Sequence, residues 1–225
     1  MSASGAAPPH AKQHVCFVVA GHSQCGKSTI VGALLRLTNT IPDDTFDAVE
    51  TAANAAGQTA RRFAWISDKT KEERELQHSI TPKLWSLQFD QQNISLIDTP
   101  GHRSCALMSI ASMCMADAAL VAVSSKLGEF EQGIDSQGAC HRATAPPTAL
   151  LNPPPPPSPP LTPGGTRMQL LAAYALGIKS VVVAVSQVDD QSCCFGQARC
   201  QQIEEKMRLL LRKVRLSLPL RRLML

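Results

Sequence analysis

The chain has 225 residues with a formal net charge of +4, and 44% of its residues are hydrophobic. This length suits one globular domain with additions, since domains usually hold about 100–200 residues. No apolar run reaches the ~20 residues that a membrane-spanning helix needs, and the start of the chain lacks the apolar core of a signal peptide. We therefore expect a cytoplasmic protein with a disordered leader at residues 1–13.

The positive charge is concentrated near the C-terminus. Residues 206–225 hold seven Lys and Arg residues and no acid, whereas the other 205 residues hold 15 basic and 18 acidic ones, a net charge of −3. A nucleic-acid-binding domain usually carries its basic residues as a patch on the folded body. The distribution therefore argues against such a surface and favours a basic, leucine-rich tail at 215–225.

Strands and helices are predicted to alternate along the chain. Short apolar runs indicate buried strands, and apolar residues three or four apart indicate helices. In chain order we expect a strand at 14–21, a helix at 27–37, helix-compatible pieces around 47–64 and 68–77, strands at 80–89 and 93–98, a helix at 105–115, a strand at 116–124, a helix at 166–176, a strand at 180–185 and a helix at 197–214. This order predicts an α/β fold with a doubly wound, mostly parallel sheet and helices on both faces. Such sheets bind ligands at the C-terminal ends of their strands.

The stretch "GHSQCGKST" fits the phosphate-loop pattern G-x-x-x-x-G-K-[ST], with a strand before it and a helix after it. Its glycines let the backbone wrap round phosphates, and its N–H groups and the helix N-terminus attract anions. Lys27 is predicted to contact the β- and γ-phosphates, and the Ser28 hydroxyl to bind Mg²⁺. The predicted nucleotide-binding residues of this P-loop NTPase are Gly21, His22, Ser23, Gln24, Cys25, Gly26, Lys27, Ser28 and Thr29.

A second motif, "LIDTPGH", places an acid at the end of a buried strand. Asp98 is predicted to support a magnesium ion beside the phosphates. Gly101 lets a backbone amide approach the γ-phosphate, and His102 is placed to hold a water in line with it. Taken alone, Asp-x-Pro-Gly is also an ordinary turn, but after a phosphate loop it indicates a nucleotide site.

These motifs and several others resemble the G domain of translational GTPases, most closely the eukaryotic elongation factor 1-alpha type. The resemblance spans about 14–214 apart from an insertion, and its segments in this sequence are "GHSQCGKST", "RFAWISDKTKEERE", "LWSLQF", "IDTPGHR", "ADAALVAVSS", "GEFEQGI" and "TRMQLLAAYALGIKSVVVAVSQVDD". The resemblance implies binding of GTP and GDP with Mg²⁺, and hydrolysis of GTP with Lys27 and His102 as catalytic residues. It implies the ribosome and aminoacyl-tRNA as partners.

The resemblance also assigns residues that the two motifs do not. The family's second magnesium-binding hydroxyl falls on Ser79 in an ungapped alignment, or on Thr81 if the loop slips. The family's guanine-reading Asn-Lys-x-Asp falls on Ser186, Gln187, Val188 and Asp189. Asp189 keeps guanine as the favoured base, whereas Ser186 and Gln187 replace a bracing asparagine and a stacking lysine. We expect nucleotide binding to be weaker by about tenfold or more.

Other departures concern catalysis. The family flanks its histidine with two apolar side chains, and Ser23 and His78 stand at those positions. The family's Arg-Gly before the second of them is replaced by Leu76-Gln77. Besides a working GTPase in elongation, the sequence therefore leaves open a degenerate GTP-binding remnant without catalysis. A ribosome-rescue or termination-factor relative also stays open, and a P-loop ATPase or kinase is disfavoured by Asp189.

The chain departs from the family in organisation too. The family's G domain continues into a further guanine-contact strand and two β-barrel domains, so we expect a fold that is incomplete at its C-terminus. Residues 139–164 interrupt the pattern and hold ten of the sixteen prolines. Proline lacks the N–H group that helices and sheets use, so this stretch is predicted to be an extended arm. Residues 153–160 fit an SH3-, WW- or profilin-type ligand, and a tolerated surface insertion or an intron translated in frame is the alternative.

Overall fold

In the part of the chain that the structure describes, strands and helices alternate round a six-stranded sheet. A computed structural model describes residues 14–89, 92–135, 164–190 and 196–214, and the backbone of 223–224. The strands are β1 (His14–Ala20), β2 (Lys83–Phe89), β3 (Gln92–Asp98), β4 (Ala118–Ser124), β5 (Ser180–Ser186) and β6 (Leu223–Met224). The helices are α1 (Lys27–Leu37), α2 (Asp43–Ala55), α3 (Ala64–Ser67), α4 (Lys71–Leu76), α5 (Ala106–Met113), α6 (Glu129–Ile134), α7 (Gly165–Ala175) and α8 (Gln197–Lys213).

The sheet has the strand order β2-β3-β1-β4-β5-β6. All neighbouring pairs are parallel except β2 with β3, which are antiparallel and joined by a short link. The strand order reverses direction between β1 and β4, and such a switch point opens a crevice at the C-terminal ends of the strands. The predicted α/β P-loop fold with a doubly wound, mostly parallel sheet is confirmed.

Each face of the sheet buries its own apolar cluster. On one face, Ile203 and Met207 of α8 pack with Leu170 of α7 against the strands. On the other face, Val31 and Leu35 of α1 pack against the sheet with the helices that follow. The two clusters fix the central strands, and through them the loops at their C-terminal ends.

The differences from the predicted elements have local causes. Helix α1 has the predicted bounds, but the first helix-compatible piece begins earlier, at Asp43, after Pro42. Asp43 and Asp44 lie in its first turn, where acidic side chains complement the helix dipole. Helix α6 was not predicted, because six residues are too few to show a helical period. Strand β6, in the predicted tail, was also missed. Within the described residues, no helix is both long and apolar enough to cross a membrane.

Asp135 and Gly164, far apart in sequence, are neighbours in the fold. Asp135 and Gly164 flank a stretch of 28 residues, and the Gly164 N–H donates to the Asp135 carbonyl at 2.9 Å. The predicted leader and most of the proline-rich insertion lie outside the described residues, as do the side chains of the tail.

Candidate nucleotide-binding site

A cleft of about 800 Å³ lies at the C-terminal ends of the parallel strands. Loops that follow four strands contribute to its wall: Gly26 and Lys27 after β1, Gly101 after β3, Lys126 after β4 and Asp189 after β5. Segments 60–64 and 77–79 line the remaining side. Small-molecule sites usually measure about 300–1,000 Å³, so the cleft has the volume that a nucleotide needs.

The phosphate loop depends on backbone shapes that favour glycine. Gly26, with φ +84°, adopts the left-handed conformation that turns the chain into α1. Gly21, with φ +143°, packs so closely on β4 that a Cβ would collide with the Ala122 carbonyl oxygen. The loop is also held from α7: the Gly21 N–H donates to the Gln169 side chain, and the His22 N–H to Thr166 Oγ1 at 3.0 Å.

Lys27 lies inside the curve of this loop. Its side chain is buried, and Nζ donates to the His22 carbonyl oxygen at 2.6 Å. A Cβ on Gly101 would collide with the same ammonium group, so the backbone after β3 passes directly beside it. The lysine and the glycine that the sequence assigned to the phosphates therefore lie together.

A cluster of hydroxyl and carboxyl groups lies at the start of α1. Ser28 Oγ and Ser79 Oγ are 2.8 Å apart, and Asp98 is 1% exposed. One Asp98 oxygen accepts from Ser67 Oγ at 2.6 Å, and the other is buried without a hydrogen-bond partner among the described residues. Burial raises the pKa of Asp98, and the hydrogen bond from Ser67 lowers it in part.

These groups fit a magnesium ion. Mg²⁺ prefers oxygen ligands at about 2.1 Å in octahedral geometry, so two neighbouring ligands are separated by about 3 Å. The two serine hydroxyls have nearly this separation, and the unpartnered Asp98 oxygen supplies an acceptor for the ion or its water. Thr81 is exposed, and its N–H lies 3.4 Å from Glu73 Oε1. The structure thus brings Ser79 to Ser28, and the magnesium role that the ungapped alignment gives Ser79 stays a prediction.

Sequence reasoning missed Asp68, which holds Ser79 in place. Asp68 is fully buried, one oxygen accepts from Ser79 Oγ at 2.8 Å, and the other pairs with Arg61 Nη2 at 3.1 Å. Burial raises the pKa of Asp68, while Ser79, Lys83 and Arg61 act in the opposite direction. The available signal was the "SDK" within the segment that carries the family resemblance.

Glu73 of α4 anchors the residues that follow Ser79. Its carboxylate is buried, accepts from the Ile80 N–H at 2.9 Å, and lies 2.8 Å from Lys83 Nζ through each oxygen. Burial raises the pKa of Glu73, but the bonds from Lys83 and Ile80 outweigh it and hold the pKa below its ordinary value. A charged clamp therefore fixes the backbone on the C-terminal side of Ser79.

At the other end of the cleft, Ser186 makes a hydrogen bond to the phosphate loop, although the sequence suggested that the bracing role of the family's asparagine was lost. Its hydroxyl donates to the Cys25 carbonyl at 2.7 Å and lies 3.1 Å from the Val123 carbonyl, so it ties β5 to the phosphate loop. Gln187 has φ +59°; its amide oxygen accepts from Ser124 Oγ, and its Nε2 donates to the Gln24 carbonyl at 3.2 Å. Asp189 is exposed and lines the cleft.

The loop after β4 is held by α8. Arg199 contacts both Glu131 carboxylate oxygens, at 3.0 and 3.2 Å, and donates to the Ser125 carbonyl at 2.9 Å. Burial raises the pKa of Glu131, but the bonds from Arg199 and the Gly128 N–H outweigh it and lower the pKa to about 2. These contacts fix the loop that carries Lys126 into the cleft.

His102 does not line the cleft. Its ring stacks on His78, with centroids 5.2 Å apart, and Nδ1 lies 2.7 Å from Ser104 Oγ. His78 stands at the position of one of the family's two apolar side chains; its ring packs against His102, and it lines the cleft. The water-orienting role of His102 stays a prediction, since it requires the ring to move.

The loop between β1 and α1, the crevice at the strand ends and the buried groups beside it define a P-loop nucleotide-binding protein. The family description "Elongation factor Tu GTP binding domain" matches residues 12–218. The chain belongs to this family.

Individual relatives agree. Elongation factor 1-alpha of Euglena gracilis is 32% identical over 203 residues, which are 90% of this chain and 40% of that protein. Elongation factor 1-alpha of Xenopus laevis is 31% identical over 203 residues, 90% of this chain and 38% of that protein. The chain thus spans about 40% of the length of these relatives.

Solved structures show the same fold. The S. cerevisiae Ski7 GTPase-like domain bound to GDP and inorganic phosphate matches with a TM-score of 0.70 and 16% identity, over 95% of this chain and 43% of that one. A structure of Sup35 complexed with GDP matches with a TM-score of 0.57 and 20% identity, over 96% of this chain and 38% of that one.

Proposed function

We propose that the protein binds GTP and GDP with Mg²⁺ and hydrolyses GTP, as an elongation factor 1-alpha-like G domain in translation. One observation carries the proposal: Ser28, Ser79 and the unpartnered Asp98 oxygen converge beside Lys27 at the end of a phosphate loop. A buried carboxylate oxygen without a hydrogen-bond partner is costly, and a bound cation would satisfy it. Family membership supports guanine nucleotides as the ligand.

Guanine selectivity rests on the segment after β5. Asp189 lines the cleft and offers a carboxylate to the N1 and N2 hydrogens of guanine, which adenine does not present in that arrangement. Ser186 supports this segment through its bond to the phosphate loop. The side chain of Gln187 bonds to Ser124 and to the loop, so base stacking is the contribution that we expect this chain to lack. Weaker binding than in the relatives follows.

Hydrolysis depends on positioning and on charge. Lys27 places a positive charge on the β- and γ-phosphates, and the Gly101 backbone approaches the γ-phosphate beside it. Mg²⁺, held by Ser28 and Ser79 with Asp98, would neutralise charge that develops on the phosphate oxygens. His102 would hold the attacking water after its ring leaves His78. That movement makes the stack a brake on hydrolysis.

The ribosome and aminoacyl-tRNA are proposed partners because relatives named elongation factor 1-alpha match most of this chain. A second candidate is a ribosome-rescue or termination task, which the structural likeness to Ski7 and Sup35 favours. A third is a GTP-binding remnant without catalysis, which the stacked His102 favours. A cytoplasmic location fits all three. The predicted SH3-, WW- or profilin-type ligand at 153–160 lies outside the described residues.

Titration with fluorescent GDP and ATP analogues tests the binding proposal. We expect guanine-selective binding that Lys27→Ala abolishes, since that change removes the buried ammonium group from the loop. Equal binding of both analogues, or none at concentrations up to the millimolar range, would contradict it. Single-turnover GTP hydrolysis with His102→Ala then tests catalysis, and an unchanged rate would remove His102 from its proposed role and favour the remnant.

A further inference from the structure

Arg61 is a half-satisfied guanidinium in the wall of the nucleotide cleft. It lies in the short 3-10 turn Thr59–Arg61 before α3, and its side chain is 24% exposed. Nη2 pairs with Asp68 at 3.1 Å, whereas Nη1 is buried and has no hydrogen-bond partner among the described residues. A buried donor without an acceptor costs free energy, so this group fits a site whose acceptor arrives with a ligand.

The position of Arg61 indicates which part of a ligand it would meet. Arg61 and Ser79 bind the two oxygens of the same Asp68 carboxylate, and Ser79 contacts Ser28 of the phosphate loop. Asp68 therefore links the Arg61 guanidinium to Ser79, one of the proposed magnesium ligands. Lys27 and Arg61 line the same cleft, so both can present positive charge to a ligand within it.

The neighbouring arginine shows that this arrangement is particular to Arg61. Arg62 lines the cleft too, but its Nε pairs with Glu50 at 3.3 Å and its guanidinium lies 5.1 Å from the centre of the Phe63 ring. Its unpaired groups reach solvent, since its side chain is 39% exposed. Arg61 and Arg62 are thus adjacent residues of equal charge with different hydrogen-bonding needs.

We propose that Arg61 donates from Nη1 to a phosphate oxygen of the bound guanine nucleotide, as a positive charge supplied from within the chain. This inference rests on the proposed function. Guanidinium groups suit it, because they stay charged and their fork matches phosphate and carboxylate together. Arg61 then bridges Asp68 and the nucleotide, and it links the segment that carries Ser79 to the phosphates.

Nucleotide affinities of Arg61→Ala and Arg62→Ala, measured with GDP and with a non-hydrolysable GTP analogue, test the contact. A charge-assisted hydrogen bond lost from a buried site corresponds to an affinity loss of about ten- to hundredfold. We expect that loss for Arg61→Ala and less than a threefold change for Arg62→Ala. A larger loss with the GTP analogue assigns the contact to the γ-phosphate, and equal losses assign it to the α- or β-phosphate. Equal affinities of the two variants would overturn the proposal.

A purely structural role, in which Arg61 only balances Asp68, needs its own test. In an Asp68→Asn background the carboxylate charge is gone, so such a role predicts no further loss from Arg61→Ala. A phosphate contact predicts a similar loss in both backgrounds. If Arg61→Ala fails to fold by thermal melting, Arg61→Lys keeps a charge beside Asp68, and wild-type affinity in that variant overturns the proposal. If the wild-type protein does not bind guanine nucleotides, the proposed function itself fails. If the wild type binds them and Arg61→Ala binds equally well, only the proposed Arg61 contact fails.

Discussion

Replacing Ser79 with alanine is the most direct test of the metal site. The Ser79 hydroxyl lies 2.8 Å from Ser28 Oγ and donates to Asp68 at 2.8 Å. The change therefore removes one proposed magnesium ligand and one hydrogen bond from a fully buried carboxylate. A hydrogen bond to a charged group contributes about 1.5–3 kcal/mol to stability. Loss of a group that orients a metal's ligands lowers the protein's affinity for the metal about ten- to hundredfold. We expect the Mg²⁺ concentration for half-maximal GTP binding to rise at least about tenfold.

The assay is a magnesium titration of fluorescent GTP-analogue binding, with thermal melting to establish that each variant is folded. Ser79→Thr is the matched control, because it keeps a hydroxyl at the same position and restores the residue type of the resembling family. Thr81→Ala should leave the magnesium requirement unchanged, since Thr81 is exposed. A wild-type magnesium requirement in Ser79→Ala, or a raised requirement in Thr81→Ala, would refute the assignment.

Three further perturbations address other parts of the site. Ser186→Ala removes the bond to the phosphate loop at 2.7 Å, so GDP affinity should fall about fivefold; an unchanged affinity by fluorescence titration would show that the brace is idle. The pKa of Glu131 is lowered to about 2 from 4.5, so its stabilising contribution is full above pH 4.5 and is lost as the pH falls through about 2. The melting-temperature difference between wild type and Glu131→Gln should therefore shrink between pH 6 and pH 2, and a constant difference would contradict this. His78→Ile removes the ring that holds His102; aromatic pairs contribute about 0.5–1.5 kcal/mol, so single-turnover GTP hydrolysis should accelerate about threefold to tenfold, and a slower rate would count against a brake.

The phosphate loop and the strands around it were predictable because their signals are local. A strand, a glycine-rich loop and a helix that begins with lysine follow one another directly, so few other structures fit this stretch of sequence. Helix α1 accordingly has the predicted bounds. Ser79 was a candidate for a similar reason, since an ungapped alignment fixes its distance along the chain from the segments on either side. The structure places Ser79, and not Thr81, in contact with Ser28, and the magnesium role of Ser79 stays a prediction.

The remaining features depend on side chains that meet across long stretches of sequence. Ser186 reaches the carbonyl of Cys25 from 161 residues away, and no local pattern shows that a hydroxyl can brace the loop there. The stack of His78 on His102 is equally invisible, because it depends on how two loops approach each other. Arg61 was not predicted as a candidate, since only the structure shows which of two adjacent arginines lacks an acceptor.

The anchors of the phosphate loop have a consequence for how the domain holds together. Gln169 lies 148 residues from Gly21, and Gln187 lies 163 residues from Gln24. The loop therefore takes its binding shape only when the part of the chain before Asp135 has docked onto the part after Gly164. A ligand that binds only the native state stabilises it, by about 2.7 kcal/mol at a hundred times its dissociation constant. Bound nucleotide would therefore hold the two parts together, and its loss would loosen the whole domain rather than one loop.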